Sequence, residues 1–387
     1  MNPARRLLLP LVPLYRAGLA FREWKLRSGR EPVRRLGWPV VSIGNLSTGG
    51  AGKTPLAIAL AQALARRGLY VDVLTRGYGR RSALPLLVNP GGTAEEFGDE
   101  PLVIAREAGV PVYVAAERYE AGRLAESALP KNVLKEQDPS ASSGQAFSGA
   151  ESSRTNELAF APEANVKGTG FSPYISPHQN EGALAPEGSL CIHLLDDGFQ
   201  HRQLARDADI LLLRRDDFED RLLPAGNLRE PLSAIRRAQV IAIPAGDPEV
   251  ETKLKALGWA GLIWRLRRQM EVPPVIGPVV AFCGIARAEQ FFTGLESAGL
   301  RVVSRIVFPD HHRYIPHDLD CLLDATRAVR ATALVTTEKD RVRLGRLAEK
   351  LTAFIPLETA KLRIEIGDEA AAINSLIRRI EPQQMGN

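Results

Sequence analysis

The most informative segment of the sequence is VVSIGNLSTGGAGKTPLAIAL, at Val40–Leu60. An apolar run typical of a buried strand leads into a glycine-rich turn, and the pair Lys53 and Thr54 stands where an apolar helix begins. The usual phosphate loop has the pattern GxxxxGK[ST]. Here Ser47 replaces the first glycine, but three later glycines remain. The stretch therefore predicts a nucleoside triphosphate site. A glycine-rich turn without a ligand is the alternative.

The residue types of this loop match the chemistry of phosphate binding. Glycines allow backbone N–H groups to turn toward a phosphate, and the following helix adds its positive N-terminal end. Lys53 would reach the β- and γ-phosphates, and the Thr54 hydroxyl would bind Mg²⁺. The predicted nucleotide-binding residues are Ser47, Thr48, Gly49, Gly50, Ala51, Gly52, Lys53 and Thr54.

The composition of the 387 residues is that of an ordinary globular protein, with 45% hydrophobic and 25% charged residues. The net charge of +5 suits an acidic partner such as a nucleotide, a phospholipid or a nucleic acid. Nucleic acid is the weakest of these, because the basic residues are scattered and not interleaved with aromatic residues. Cys191, Cys283 and Cys321 are far apart and form no CxxC pair. A disulfide framework or a zinc site is therefore not expected, and the expected compartment is a reducing cytoplasm.

The N-terminal segment combines arginines with an apolar run from Leu7 to Phe21, which Arg16 and two prolines interrupt. The run is too short to span about 30 Å of hydrocarbon. No cleavage site of small residues follows it, so a signal peptide is not expected either. Apolar and basic residues are interspersed from Leu11 to Arg27, which favours a basic amphipathic helix at a membrane interface. A first helix packed on the domain is the alternative.

Strands and helices alternate along most of the chain, which predicts an α/β fold. The expected architecture is a P-loop NTPase-type parallel sheet with helices on both faces, followed by a second, smaller α/β domain. Residues 131–188 lack periodicity and are rich in Ser, Gly, Pro and Asn, so we predict a disordered insertion there. The predicted domains are the N-terminal basic amphipathic helix over 1–35, a P-loop domain over 36–260 and a C-terminal α/β domain over 261–387. The stretch Arg267–Pro278 is interpreted as their linker.

The sequence CIHLLDDGFQHRQL, from Cys191 to Leu204, predicts a second element of a phosphate site. An apolar strand that ends in Asp196 and Asp197 has the form of a Walker-B motif, whose carboxylates hold Mg²⁺ through water or orient it. Surface carboxylates in a turn are the alternative. His201 has two equal interpretations, a hydrogen bond to the loop and a catalytic role.

Four further loops carry polar residues, and for each of them an ordinary structural role is an alternative. Asp99 in FGDEP precedes a helix, where it suits an N-cap as well as a catalytic site. Arg76 in TRGYGRR suits an anionic substrate. Asn227 and Arg229 lie together in LPAGNLREP. His311 in FPDHHRY stands beside a carboxylate and can serve as a general base near neutral pH.

Taken in order, these motifs resemble those of the tetraacyldisaccharide 4′-kinases, the lipid A kinases of Gram-negative bacteria. The resemblance rests on SIGNLSTGGAGKTP, LTRGYGR, GDEP, LLDDGFQHR, LPAGNLREP, FCGIARAEQFF, FPDHHRY and TTEKD. DDGFQH after this phosphate loop is the most distinctive of them, and Ser47 in place of the first glycine is typical of the family. The insertion is absent from the usual pattern, and Asn227 stands where a proline is commoner.

The resemblance implies an enzyme that transfers the γ-phosphate of ATP, with Mg²⁺, to the 4′-hydroxyl of tetraacyldisaccharide 1-phosphate. The product would be lipid IVA in lipid A biosynthesis. The enzyme would be peripheral at the cytoplasmic face of the inner membrane. Its partners would be the lipid A disaccharide 1-phosphate substrate and the lipid surface, and no obligate protein partner is evident. A substrate with four acyl chains hardly leaves the bilayer, which favours the membrane-interface role of the N-terminal helix.

The resemblance also implies roles for individual residues: Lys53, Asp99 and His311 for catalysis; Thr54, Asp196 and Asp197 for the metal; and Arg76, Asn227 and Arg229 for the substrate. Asp99 would accept the proton of the sugar hydroxyl, and His311 would orient Asp99 or relay that proton. Two alternatives are a nucleotide switch or partitioning-type ATPase, since GGAGKT occurs in those as well, and a soluble small-molecule kinase. Thr48 counts against the first, because such ATPases often carry a lysine at that position.

Overall fold

The computed structural model describes residues 5, 7–50, 52–128 and 190–381. They belong to one compact unit. Ala51 of the phosphate loop and the predicted insertion over 131–188 lie outside the described residues. The described chain is built from alternating helices and strands, which confirms the predicted α/β fold class.

A single mixed sheet runs through the described part of the chain. Its strands are β1 (Val40–Asn45), β2 (Tyr70–Thr75), β3 (Leu86–Leu87), β4 (Val112–Val114), β5 (Cys191–Asp196), β6 (Ala208–Leu212), β7 (Val240–Pro244), β8 (Leu262–Glu271), β9 (Pro278–Cys283), β10 (Arg301–Val307), β11 (Ala333–Thr337) and β12 (Leu357–Ile366). Their order is β10-β9-β11-β12-β8-β7-β6-β1-β5-β2-β4-β3. Most neighbours are parallel, whereas β3–β4 and β8–β12 are antiparallel.

Helices connect most of the parallel strands. They are α1 (Val12–Arg27), α2 (Lys53–Ala65), α3 (Ala94–Phe97), α4 (Asp99–Glu107), α5 (Arg118–Ala128), α6 (Pro248–Ala256), α7 (Ala288–Ser297), α8 (Pro316–Val329), α9 (Glu338–Leu344), α10 (Arg346–Thr352) and α11 (Glu369–Ile380). Short 3-10 turns cover Leu9–Leu11, Arg215–Phe218 and Leu232–Arg237.

The position of β1 explains where the phosphate loop lies. All six residues of β1 are buried, and the strand pairs in parallel with β5 on one side and β6 on the other. Ile43 is in register with Asp196. Leu56, Leu60 and Leu64 recur every four residues along α2 and pack with Ile43 in one apolar cluster. The carboxyl ends of β1 and β5 therefore meet at one edge of the sheet, where parallel α/β proteins bind their ligands.

The strands β8 and β12 form a long antiparallel ribbon that the sequence analysis did not identify. Each has ten residues, and β8 also pairs in parallel with β7. The interpretation of Arg267–Pro278 as a linker is therefore wrong for its first part, because Arg267–Glu271 belong to β8. The missed signal was a period of two: Trp264 and Leu266 are buried, while Arg265 and Arg267 are exposed. The domain boundary at 260/261 stays a prediction.

The helix α1 meets both interpretations of the N-terminal segment. Val12, Tyr15 and Leu19 pack against the apolar cluster that contains Leu46, and the Tyr15 hydroxyl donates to the Arg229 carbonyl oxygen at 2.8 Å. The helix still exposes large apolar side chains, namely Leu14 at 72%, Phe21 at 60% and Trp24 at 44%. In the described chain, no helix combines the length and apolar character needed to cross a membrane.

Candidate active site

The phosphate loop leaves β1 at Asn45 and enters α2 at Lys53. Gly49 and Gly52 have φ angles of 83° and 93°, in the region that glycine alone reaches without strain. A neighbouring loop holds the chain in place. The Thr48 amide donates to the carbonyl oxygen of Asn227 at 2.8 Å, and the Arg229 amide donates to that of Leu46 at 2.7 Å.

Asn227 supports the phosphate loop through its backbone. Its side-chain amide donates to Asp220 Oδ2 at 2.8 Å, and its Oδ1 accepts from Arg5 Nη1. Its predicted contact with substrate therefore stays a prediction.

Lys53 lies in a network of charged groups at the carboxyl edge of the sheet. Its Nζ donates to Asn45 Oδ1 at 3.0 Å and lies 3.3 Å from Asp197 Oδ1. The guanidinium of Arg229 binds both carboxylate oxygens of Asp197, at 2.9 and 3.1 Å. Burial would raise the pKa of Asp197, but the charges of Lys53 and Arg229 outweigh it and hold the pKa well below its usual range. Asp197 is therefore ionised at neutral pH.

The pKa of Asp196 is shifted in the opposite direction from that of Asp197. Its side chain is buried, and its Oδ1 has no hydrogen-bond partner among the described residues. Burial, with the nearby charges of Glu100 and Asp197, raises the pKa of Asp196 from 3.8 to about 7. A buried carboxylate oxygen without a partner suits a cation that is not part of the polypeptide.

The Asp196 carboxylate and the Thr54 hydroxyl are oxygen ligands of the type Mg²⁺ prefers. Across the described residues, no group of three or more His, Cys, Asp and Glu side chains could hold a metal ion. Mg²⁺ commonly takes one or two protein ligands and completes its shell with waters and phosphate oxygens, so Asp196 and Thr54 are candidate ligands for it.

Asp99 forms a second cluster with residues from the far end of the chain. It begins α4, and its Oδ2 accepts from Arg343 Nε at 2.7 Å and from Arg343 Nη2. His311 Nδ1 lies 3.4 Å from the same oxygen. Burial would raise the pKa of Asp99, but hydrogen bonding to His311 and the charge of Arg343 hold it well below its usual range. The same contact with Asp99 raises the pKa of His311.

A half-buried ion pair acts on both clusters. Lys339 Nζ donates to Glu100 Oε1 at 2.5 Å, and the charges of both residues act on Asp196. The charge of Asp99 in turn acts on Lys339. The carboxylates at the end of β5 and the Asp99–His311 pair are therefore parts of one electrostatic site.

The remaining polar side chains of the predicted loops make no hydrogen bond or ion pair with Lys53 or Asp99 in the described part of the chain. Arg76 is exposed after β2, and its charge acts on Arg118 and on His201. Burial and the neighbouring arginines lower the pKa of His201 to about 4, so it is neutral at physiological pH. His312, which follows His311 in the FPDHHRY motif, pairs with a different carboxylate: its Nε2 lies 2.8 Å from Asp318 Oδ2.

Sequence reasoning missed the two arginines that buttress these carboxylates. Arg343 follows the TTEKD motif by three residues, and its Nη1 also donates to the Gly284 carbonyl oxygen at 2.6 Å. Arg118 opens α5, and its Nη2 approaches the Asp197 carbonyl oxygen at 3.5 Å. The sequence offered one signal for both residues, namely an arginine close to a motif or at the start of a predicted helix. Its partner was not visible, because Asp99 lies 244 residues from Arg343.

Comparison with known proteins gives one consistent result. The family model for Tetraacyldisaccharide-1-P 4′-kinase matches residues 4–138 and 174–381. A tetraacyldisaccharide 4′-kinase of Koribacter versatilis is 37% identical over 97% of this chain and 99% of its own. One of Parvibaculum lavamentivorans is 33% identical over 98% and 92%. The crystal structure of LpxK from Aquifex aeolicus in complex with ATP covers 97% of this chain and 99% of its own, at 28% identity and a TM-score of 0.65.

Proposed function

The chain belongs to the tetraacyldisaccharide-1-P 4′-kinase family, and from this we infer that it transfers the γ-phosphate of ATP to the 4′-hydroxyl of a tetraacylated disaccharide 1-phosphate. The reaction is a step of lipid A biosynthesis, and its product is lipid IVA. The observation that carries the inference is the joint presence of a phosphate loop, paired carboxylates at the end of β5 and the Asp99–His311 pair at one edge of the sheet.

The phosphate loop supports the nucleotide half of the reaction. Phosphoryl transfer needs mainly alignment and neutralisation of charge. Lys53 and the loop amides would hold the β- and γ-phosphates, and Asp197 keeps Lys53 at the mouth of the loop through their 3.3 Å contact. Mg²⁺ would be held by Thr54 and Asp196, where it would neutralise phosphate charge when bound. The ionised Asp197 would add a further negative group for waters around the metal.

The Asp99–His311 pair supports the acceptor half. Asp99 is ionised at neutral pH, so it can accept a hydrogen bond from a sugar hydroxyl and orient its oxygen for attack. A carboxylate with so low a pKa is a weak base. That suffices here, because the transition state of phosphoryl transfer is loose and the proton leaves late. His311 is the more exposed partner, and its position beside Asp99 Oδ2 suits it to relay that proton.

The helix α1 supports action at a membrane surface. Its outward side carries Leu14, Phe21 and Trp24, and basic residues such as Arg16 and Lys25 lie among them. This pattern suits a helix that lies in the headgroup region of an anionic leaflet. Attachment at the cytoplasmic face of the inner membrane would bring the site to a substrate that its four acyl chains keep in the bilayer.

The decisive experiment is a transfer assay in detergent micelles with labelled ATP, Mg²⁺ and tetraacyldisaccharide 1-phosphate. We expect label in the lipid with wild-type protein and a loss of about 10²- to 10⁴-fold in kcat for Asp99→Asn. Asp324→Asn removes an exposed carboxylate of α8 and should leave kcat unchanged. ATP hydrolysis without label in the lipid would instead identify a switch-type ATPase. Transfer to a soluble acceptor alone would identify a small-molecule kinase.

A further inference from the structure

Three arginine side chains approach the phosphate loop from outside it. We call Arg214, Arg268 and Arg287 the arginine collar. Arg214 follows β6, Arg268 lies in β8 and Arg287 precedes α7. None of the three belongs to the phosphate loop, to the paired carboxylates or to the Asp99 cluster.

The distances place the collar directly against the loop. Arg214 Nη2 lies 3.5 Å from the buried Ser47 hydroxyl. A Cβ atom on Gly52 would lie 3.1 Å from Arg268 Nη2, and one on Gly50 would lie 3.6 Å from Arg287 Cδ. A side chain at residue 52 would therefore crowd Arg268, whereas one at residue 50 would make an ordinary contact with Arg287.

The three arginines of the collar repel one another. Burial, followed by the charge of Arg214, lowers the pKa of both Arg268 and Arg287, and Arg287 acts on Arg268 in the same direction. The charges of Asp216 and Asp217 oppose the shift at Arg287. The nearest carboxylate of Arg214 is that of Asp217, whose Oδ1 lies 3.9 Å from Nη2. Arg214 Nε and Nη1 are buried and have no hydrogen-bond acceptor in the described part of the chain. The repulsion between the three arginines and the two unpaired donors of Arg214 cost stability, and a bound anion would offset that cost.

We propose that the arginine collar binds the triphosphate of ATP together with Lys53. This proposal rests on the kinase function inferred above and adds residues to its nucleotide site. A guanidinium presents parallel N–H donors that match phosphate oxygens, which a single ammonium group does not. The polyanion would supply the acceptors that Arg214 Nε and Nη1 lack and would remove the mutual repulsion of the three side chains.

The proposal has a structural consequence. Arg268 and Arg287 lie beyond residue 261, whereas the phosphate loop and Arg214 lie before it. The triphosphate would therefore be held by residues from both parts of the chain. Binding of ATP should tighten the packing of β8 and the start of α7 on the loop.

Arg287→Gln tests the collar at a partly buried member, which precedes α7. The matched control is Arg301→Gln, which removes an exposed arginine from β10. Isothermal titration calorimetry with Mg-ATP should show Kd about tenfold to a hundredfold higher for Arg287→Gln, the loss expected for one charge-assisted hydrogen bond, and an unchanged Kd for the control. Arg287→Lys should fall between wild type and Arg287→Gln. Inorganic tripolyphosphate should compete with ATP on wild type and compete at least tenfold less well on the variant.

Thermal unfolding of the same proteins decides between a binding and a structural role. Without nucleotide, Tm of Arg287→Gln should equal or exceed that of wild type, because a repelling charge is gone. With saturating Mg-ATP, the rise in Tm should be smaller for the variant. An unchanged Kd for Mg-ATP in Arg287→Gln would contradict the proposal. A Tm below that of wild type without nucleotide would also contradict it, because it would show that Arg287 stabilises the fold. Failure of wild type to bind any nucleoside triphosphate would instead overturn the proposed function.

Discussion

Replacing Arg343 by glutamine should be among the most destabilising single changes in this site. The side chain of Arg343 is 6% exposed and that of Asp99 is 7% exposed, so their ion pair is screened by little water. Arg343 also donates to Asp340 Oδ1 at 3.2 Å and to the Gly284 carbonyl oxygen at 2.6 Å. Asp340 in turn accepts from the Gly284 amide. One side chain thus ties α4 to α9 and to the end of β9.

The magnitude follows from what the substitution leaves behind. Glutamine cannot neutralise the Asp99 carboxylate, which would remain buried with the Glu100 amide and His311 as its partners. Removal of one partner of a buried ion pair costs about 3–5 kcal/mol of unfolding free energy. Arg327→Gln is the matched control, because Arg327 pairs with Asp324 on the surface, where the two side chains are 69% and 74% exposed. Its cost should be below about 1 kcal/mol.

Urea unfolding at pH 7, followed by circular dichroism, measures both costs. A double-mutant cycle with Asp99→Asn sharpens the test, since the neutral amide removes the stranded charge. The double variant should be more stable than Arg343→Gln alone by about 1–3 kcal/mol. The pKa of Asp99 is depressed in the folded protein, so its contribution is present above pH 3.8 and declines as pH falls below that value. The predicted role of Arg343 would be wrong if Arg343→Gln cost less than about 1 kcal/mol, or if adding Asp99→Asn lowered stability further.

Three further changes have defined outcomes. Lys53→Ala should lower kcat for lipid phosphorylation at least about a hundredfold with an unchanged circular dichroism spectrum, while Lys255→Ala on the exposed side of α6 should be neutral. In metal-free buffer, the stability of Asp196→Asn relative to wild type should increase as pH rises from 3.8 to about 7, by a few kcal/mol in total, because the raised pKa of Asp196 makes its ionisation in the folded protein unfavourable. The difference in urea midpoint between the variant and wild type should therefore be larger at pH 8 than at pH 5, and an equal difference at both values would contradict this. Phe21→Ser with Trp24→Ser should reduce binding to anionic vesicles at least about tenfold in sedimentation, and Leu257→Ser, which alters an exposed leucine after α6, should not.

The sequence predicts the parts of the site that are local in the chain. The loop between β1 and α2 follows from glycines, Lys53 and an apolar strand, and the strand β5 follows from an apolar run that ends in two aspartates. Their meeting also follows, because parallel strands on either side of a phosphate loop end at one edge of the sheet. These elements need no contact between distant residues to be identified.

The contacts between distant residues needed either the resemblance or the structure. Asp99 and His311 lie 212 positions apart in the numbering, and only the resemblance paired them. Arg343, Arg268 and Arg287 were not found at all, since an arginine in a strand or at a helix end is usually a solvated residue. Of these, Arg268 lies in the ribbon of β8 and β12, whose alternation of apolar and charged residues was present in the sequence but overlooked.

Two features of the site make sense only together. Asp196 carries a buried oxygen that lacks a partner among the described residues, and the arginines of the collar repel one another beside the phosphate loop. A cation alone would pair with the Asp196 oxygen but would leave the arginines repelling one another. A free triphosphate would neutralise the arginines but would leave the Asp196 oxygen without a partner. The complex of Mg²⁺ with ATP satisfies both in one event, so the metal and the nucleotide should bind with positive cooperativity. The site should therefore select the metal-bound nucleotide, because neither Mg²⁺ nor the free triphosphate removes both unfavourable features alone.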